Sequence, residues 1–69
     1  MRLRVNGELL ELQDGATVAD LVEHAGGSTD HRRGVAVAVD AEVVPRSAWH
    51  RTELSEGQSV ELLTAMQGG

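Results

Sequence analysis

The stretch MRLRVNGELLELQ, residues 1–13, decides how the fold begins, because two strand-like runs flank Asn6-Gly7. Both central residues of a type I′ turn need a positive φ, and Asn-Gly is typical of that turn, so the stretch predicts a β-hairpin with a two-residue loop. The loop fixes a register of Val5 opposite Glu8, Leu3 opposite Leu10 and Met1 opposite Leu12. The apolar residues of these pairs then share one face, and Leu9 points outward.

The next segment, GATVADLVEHAGG at residues 15–27, predicts a helix. Thr17 has the N-cap position, and Asp20 three residues later is its capping-box partner. An apolar stripe follows at helical spacing, formed by Val18, Leu21, Val22 and Ala25. Gly26 suits the C′ position that ends many helices, and the polar segment from Gly26 to Gly34 predicts a surface loop.

The second half of the chain predicts strands. VAVAV (35–39) is short and rich in β-branched residues, so we interpret it as a buried strand, and Asp40-Ala41 turns the chain into EVV (42–44), which Pro45 ends. We expect residues 46–58 to be irregular, with a turn at Glu56-Gly57 and with Trp49 at one edge of the core. The final run, SVELLTA (59–65), alternates as a strand does. This order predicts an α+β domain in which one helix packs across a mixed sheet of four to five strands.

Length and charge exclude several classes of function. The chain has 69 residues and a formal net charge of -5. A chain of this length holds one modest core and leaves little room for an enclosed active site. Phosphate binding needs a basic face, so the acidic balance argues against a nucleic-acid partner. No apolar run approaches the length of a membrane span and no signal peptide is evident, so we expect a cytoplasmic protein that is a monomer when free and does not associate with membranes.

Side chains that carry chemistry are scarce. The chain contains no cysteine and no lysine, which excludes a thiolate nucleophile and a side-chain Schiff base. The three histidines, His24, His31 and His50, lack the spacing of a metal site. The carboxylates accompany no base, nucleophile or cleft-forming motif, so we expect no catalytic residue and no metal.

Two outward-pointing leucines indicate a different kind of site. The alternation puts Leu9 and Leu63 on the outer face of the sheet, where two leucines on adjacent strands would form an apolar docking patch. We predict that Leu9, Leu63 and the neighbouring Arg4 form a surface for a partner protein.

The chain ends in Ala65-Met66-Gln67-Gly68-Gly69, and two terminal glycines are unfavourable for stability because ordering them costs the most backbone entropy. We interpret residues 65–69 as a flexible tail on a domain formed by residues 1–64. Five residues past Thr64 extend about 17 Å, and glycines without Cβ atoms pass through a narrow channel. A terminal carboxylate is ionised at neutral pH and can attack the α-phosphate of ATP. The tail is therefore suited to act as a substrate in the active site of another protein.

In four stretches the sequence resembles the ThiS family of ubiquitin-like sulfur carrier proteins. These are VNGE at the first turn, GATVADLV at the helix start, VAVAVDAEVVPRSAW in the middle and LSEGQSVELLTAMQGG at the end. The resemblance implies a β-grasp fold. Three features depart from the family pattern: a longer segment from Gly26 to Gly34, Asp40-Ala41 in place of an Asn-Gly-like turn, and Met66 where a β-branched residue is common.

The resemblance also implies a role as a carrier and co-substrate without a bound cofactor. A ThiF-type adenylating enzyme, related to ubiquitin-activating enzymes, consumes ATP to adenylate the terminal glycine, which is Gly69 here. A sulfur-relay protein of the cysteine-desulfurase or rhodanese type then supplies sulfur to form a thiocarboxylate. A ThiG-type thiazole synthase takes that sulfur for the thiazole ring of thiamine. Carried over, Gly68 is the slim approach to Gly69, and Gln67 and Met66 line the partner's channel.

Three alternatives share these features of the sequence. The chain could carry sulfur for another pathway, such as molybdopterin synthesis or tRNA thiolation, although molybdopterin synthase small subunits are usually longer and richer in aromatic residues. It could be a ubiquitin-like modifier joined through Gly69 to lysines of target proteins. A binding domain of the same fold with an incidental tail is the third reading.

Overall fold

A computed structural model describes residues 1–26 and 34–64 of the chain. Five strands, one α-helix and one 3-10 helix make up this part of the molecule. The strands are β1 (Arg2–Val5), β2 (Glu8–Glu11), β3 (Val35–Val39), β4 (Glu42–Val44) and β5 (Ser59–Thr64); the helix is α1 (Val18–Gly26), and the 3-10 helix spans Arg46–Arg51.

The five strands form one mixed sheet in the order β2-β1-β5-β3-β4. β1 and β5 are parallel, whereas the other three neighbouring pairs are antiparallel. The last strand therefore enters the middle of the sheet, between the first strand and the third. This sheet with one α-helix is the β-grasp arrangement, which confirms the predicted fold class.

The first hairpin has the predicted register. Val5 pairs with Glu8 and Leu3 with Leu10, and Met1 and Leu12 continue the ladder through two hydrogen bonds of 2.8 and 2.9 Å. Asn6 and Gly7 have φ angles of 53° and 86°, as a type I′ turn requires. The predicted hairpin is confirmed.

A reciprocal capping box starts α1 as predicted. The Thr17 N–H donates to Asp20 Oδ2 at 2.9 Å, and the Asp20 N–H donates to Thr17 Oγ1 at 3.3 Å. Val18, Leu21 and Val22 of the predicted stripe are buried in the core. The loop predicted between Gly26 and Gly34 lies largely outside the described residues.

The second hairpin also has a two-residue loop. Val39 pairs with Glu42 across Asp40 and Ala41, whose φ angles are 50° and 71°. Both angles lie in the left-handed region, so an Asp-Ala pair here has the φ signs of the type I′ turn that Asn-Gly usually forms. The departure from the family pattern changes the residues and leaves that turn geometry in place.

The prediction that residues 46–58 are irregular was wrong for their first part, which forms the 3-10 helix Arg46–Arg51. The periodicity of a six-residue segment is too short to reveal such a helix. Trp49 lies on this helix with 4% of its surface exposed and belongs to the core. Its indole N–H donates to the Val44 carbonyl at 3.0 Å, and the Arg46 guanidinium carbon lies 5.9 Å from the ring centroid.

The core lies between α1, the 3-10 helix and the inner face of the sheet. Its buried members are Leu3, Val18, Leu21, Val22, Val37, Val39, Trp49, Leu54 and Val60. Backbone hydrogen bonds hold the segment after the 3-10 helix to both layers: Val18 N–H donates to Thr52 O at 2.9 Å, and Gly57 N–H donates to Arg2 O at 2.7 Å. These contacts bring the chain back beside β1 before β5 begins. Within the described residues, no helix has the length and apolar character needed to cross a membrane.

Candidate functional site: the end of β5 and the outer sheet face

The end of β5 is the point from which the predicted reactive tail continues. β5 occupies the centre of the sheet and ends at Thr64, which pairs with Val35 of β3. The four tail residues predicted to function, Met66, Gln67, Gly68 and Gly69, lie outside the described residues. Their roles stay predictions.

The two strands beside β5, β1 and β3, pair with it over different lengths. β3 pairs with β5 from Val60 to Thr64, whereas β1 pairs with β5 at Ser59 and Val60. β1 stops there because the chain turns away at Asn6-Gly7. The side chain of Asn6 reaches further: its Nδ2 donates to Leu62 O at 3.0 Å, and the Leu62 N–H donates to Asn6 Oδ1 at 2.8 Å.

Three large apolar side chains are exposed in the part of the chain that the structure describes. Their exposed fractions are 63% for Leu9, 67% for Leu63 and 75% for Val43. Leu9 and Leu63 lie on the face of the sheet opposite the core, as the alternation predicted, since their neighbours Leu10 and Leu62 pack against the core. Exposed apolar side chains that cluster on one face indicate an interaction surface.

The structure separates Leu9 from Leu63, which corrects the expectation that they meet on adjacent strands. β1 lies between β2 and β5, and Leu9 pairs with Arg4, which pairs in turn with Ser59. Leu63 is four residues further along β5. With strands about 4.8 Å apart and a rise of about 3.3 Å per residue, the two Cα atoms lie roughly 16 Å apart. Arg4 is exposed beside Leu9, and its Nη1 donates to Gly7 O at 3.4 Å.

Leu63 has different apolar neighbours from those that the sequence predicted. It pairs with Ala36 of β3, and two residues further along that strand Ala38 pairs with Val43 of β4. These four residues, Leu63, Ala36, Ala38 and Val43, form a continuous strip across three strands, which we call the outer-face patch. Glu61, which pairs with Ala38, lies beside it.

Val43 is the exposed residue that sequence reasoning missed. The signal was present, because a two-residue loop at Asp40-Ala41 requires Val39 opposite Glu42 and therefore Ala38 opposite Val43. Since Val37 and Val39 are buried, Ala38 and its partner must face the other way. The register of the second hairpin therefore predicts that Val43 lies on the outer face of the sheet.

The histidines fall on separate elements. His24 lies in the last turn of α1 and His50 on the 3-10 helix, while His31 is outside the described residues. Among residues 1–26 and 34–64, no group of three or more His, Cys, Asp or Glu side chains is arranged to hold a metal ion.

The architecture defines a small β-grasp protein of the ubiquitin-like class, with its final strand in the centre of the sheet and an apolar strip beside the end of that strand. The model of the ThiS family matches residues 3–69, nearly the whole chain. The chain belongs to the ThiS family.

Individual relatives agree with this assignment. The "Sulfur carrier protein ThiS" of Escherichia coli (strain K12) is 29% identical over 70 residues, and the match covers 100% of both chains. The crystal structure of the thiamine biosynthesis protein ThiS from Geobacter metallireducens has a TM-score of 0.79 and 30% identity, with 100% of both chains covered. A solution structure of a Geobacter metallireducens thiamine biosynthesis protein has a TM-score of 0.78 and 30% identity, covering 100% of this chain and 88% of that one.

Proposed function

We propose that this protein is a sulfur carrier for thiazole formation in thiamine biosynthesis, with the terminal carboxyl group of Gly69 as the site that holds the sulfur. The observation that carries the proposal is the family match over residues 3–69, which includes Gly68-Gly69. The relative from Escherichia coli, which aligns over its full length, bears the name of a sulfur carrier. The protein is then a co-substrate that other enzymes act on.

The proposed chemistry takes place on the terminal carboxylate. A carboxylate oxygen of Gly69 attacks the α-phosphorus of ATP, and pyrophosphate leaves to give an acyl adenylate. The terminal sulfur of a persulfide on the relay protein then attacks the activated carbonyl carbon, and AMP departs to leave an acyl disulfide. A thiol of a partner protein cleaves the S–S bond of that intermediate, is itself oxidised to a disulfide with the relay cysteine, and releases the thiocarboxylate. The chain has no cysteine, so a sulfur carried covalently has no thiol of the chain to reside on. Glycines at both terminal positions let the carboxylate approach the bound nucleotide because no Cβ atom obstructs it.

The outer-face patch is the proposed docking surface for the adenylating enzyme. Leu63 precedes Thr64, the last described residue, and a tail of five residues reaches about 17 Å from there. An enzyme that binds Gly69 in its active site must therefore lie close to Leu63. Leu9 and Arg4 belong to the predicted docking set, but Arg4 lies on β1 and Leu9 on β2 beyond it, so the surface that the geometry favours is Leu63 with Ala36, Ala38 and Val43.

The proposed partners are a ThiF-type adenylating enzyme, a sulfur-relay protein and a ThiG-type thiazole synthase. The adenylating enzyme consumes the ATP, and we propose that the carrier itself binds no cofactor. We place this chemistry in the cytoplasm, where ATP is available, and propose that the free carrier is a monomer.

Intact-protein mass spectrometry tests the proposal directly. The chain is co-expressed with its native activating enzyme and sulfur source, purified and weighed. We expect a species heavier by one oxygen-to-sulfur exchange, localised to Gly69 and absent from a variant that lacks Gly69. An unmodified mass would contradict the proposal, and Gly69 joined to lysines of other proteins would establish a modifier in its place.

A second measurement separates the thiamine pathway from other sulfur pathways. The thiocarboxylate form is mixed with purified thiazole synthase and the remaining thiazole precursors, and product formation is followed with loss of sulfur from the carrier. Sulfur transfer to the thiazole product supports the proposal. Transfer only to a molybdopterin precursor or to tRNA would reassign the pathway while keeping the carrier chemistry.

A further inference from the structure

The side-chain amide of Asn6 replaces a stretch of missing strand next to the end of β5. The parallel ladder runs through Arg4 N–H to Gln58 O and Asn6 N–H to Val60 O, both at 2.9 Å. The next groups of β5 that face this side are the N–H and C=O of Leu62, where the main chain has already turned away. Asn6 Oδ1 accepts from that N–H at 2.8 Å, and Asn6 Nδ2 donates to that C=O at 3.0 Å.

Asparagine meets two requirements at this position at once. Residue 6 has a φ of 53°, a conformation that Asn tolerates better than most residues with a side chain. Its amide carries both an acceptor and a donor, so it can mimic a peptide group towards Leu62. Aspartate lacks the donor, and glycine lacks both groups.

Leu62 stands at the junction between the sheet and the proposed reactive end. The next residue, Leu63, belongs to the outer-face patch, and the one after it, Thr64, ends β5. On the other side of β5, β3 pairs with the strand as far as Thr64. The Asn6 amide therefore secures the β1 side of β5 for two residues beyond Val60, where the β1 backbone stops pairing.

We infer that Asn6 is a positioning residue for the adenylation of Gly69, because its amide fixes the direction in which β5 delivers the tail to the activating enzyme. This inference rests on the proposed function. Holding a reacting group at a set position removes part of the entropy cost of reaching the transition state. Loss of the two hydrogen bonds between the Asn6 amide and Leu62 should therefore slow the chemical step more than it weakens docking, because no side chain of the outer-face patch is altered.

The chain supplies a matched control at the opposite end of β5. Asp40, also in a left-handed turn, accepts from the Ser59 N–H through Oδ1 at 3.0 Å. The variants Asn6→Gly and Asp40→Gly each remove a turn side chain that bonds the β5 backbone, and each leaves a residue that adopts positive φ readily. The two variants differ in which end of the strand they release.

The test measures ATP–pyrophosphate exchange by the activating enzyme as a function of carrier concentration, well below the unfolding temperature of every variant. For Asn6→Gly we expect kcat to fall about tenfold with KM for the carrier changed less than twofold. Asn6→Asp should lie at or near the Asn6→Gly value because the donor is lost, and Asp40→Gly should keep the wild-type kcat. Amide hydrogen exchange at Leu62 should accelerate in Asn6→Gly, which loses the acceptor for that N–H, and not in Asp40→Gly.

Four outcomes would overturn the inference. A wild-type kcat for Asn6→Gly, or an equal fall in Asp40→Gly, would reduce Asn6 to a structural role while the proposed function stands. A change confined to KM would assign Asn6 to docking instead of positioning. If the wild-type chain itself supports no exchange with its native activating enzyme, the proposed function fails and the inference fails with it.

Discussion

Asp40 and Ser59 are joined by two hydrogen bonds at the start of β5. The Asp40 N–H donates to Ser59 O at 2.7 Å, and the Ser59 N–H donates to Asp40 Oδ1 at 3.0 Å. Because Asp40 is in the left-handed region, its side-chain oxygen takes the acceptor position that a backbone carbonyl has in a regular ladder. The turn that makes this possible also forces Ala41 to a φ of 71°, which gives the first prediction.

Replacing Ala41 by glycine should stabilise the protein. A residue with a side chain in the left-handed region destabilises the folded protein by about 1–2 kcal/mol. Glycine avoids this strain, but its greater conformational freedom in the unfolded chain offsets about 0.5–1 kcal/mol of the gain. The expected gain for Ala41→Gly in the free energy of unfolding is about 0.5–1 kcal/mol. Urea denaturation should show a higher midpoint with an unchanged m-value.

Ala38 provides the matched control for that substitution. It lies in β3 opposite Val43, where no positive φ occurs. Ala38→Gly should therefore destabilise by about 0.5–1 kcal/mol. Equal shifts in the two variants would show that the backbone conformation of Ala41 is not the cause.

Removal of the Thr17 hydroxyl should weaken the start of α1. Thr17→Ala deletes the acceptor for the Asp20 N–H, and the loss of an N-cap side chain costs about 1 kcal/mol. Thr17→Ser keeps the oxygen and should retain nearly all of the stability. Thermal unfolding followed by circular dichroism distinguishes the two; identical melting temperatures for Ala and Ser would contradict a capping role.

Trp49→Phe should destabilise the packing of the 3-10 helix against the sheet. The substitution keeps an aromatic ring in the core but removes the indole N–H that donates to the Val44 carbonyl. We expect a loss of about 1–2 kcal/mol from the missing hydrogen bond and the smaller ring. Circular dichroism is the appropriate probe, since Trp49 is the chain's only tryptophan and the variant has no comparable fluorescence. A variant as stable as the parent would show that this bond adds nothing net.

A charge in the outer-face patch should weaken binding of the activating enzyme. Leu63→Asp and Val43→Asp each put a carboxylate on an exposed apolar position, so we expect at least a tenfold rise in Kd by isothermal titration calorimetry. The fold should survive because both side chains are largely in solvent, with stability changed by no more than about 1 kcal/mol.

Two further variants define the extent of that surface. Ser47→Asp adds the same charge on the exposed side of the 3-10 helix and should leave Kd unchanged. Leu9→Asp tests whether the docking surface extends across β1 to β2. A rise in Kd equal to that of Leu63→Asp would support the docking set of Leu9, Leu63 and Arg4. No effect of Leu63→Asp would remove the outer-face patch from the proposed function.

The sequence alone determined the local structure of this protein. Asn6-Gly7 specifies a turn and its register, Thr17 and Asp20 specify a helix start, and alternation in residues 59–64 separates Leu62 from Leu63. Each of these depends on backbone preferences and contacts among residues close together in the chain, which the order of residues contains directly.

Only the tertiary structure decided which strands become neighbours. Leu9 and Leu63 both face outward, yet β1 separates them, because β5 pairs in parallel with β1 after a crossover of more than fifty residues. For the same reason Asn6 meets Leu62, a contact between residues 56 positions apart. A pattern of period two fixes the face on which a side chain lies but carries no information about the order of strands, which depends on how the whole core packs.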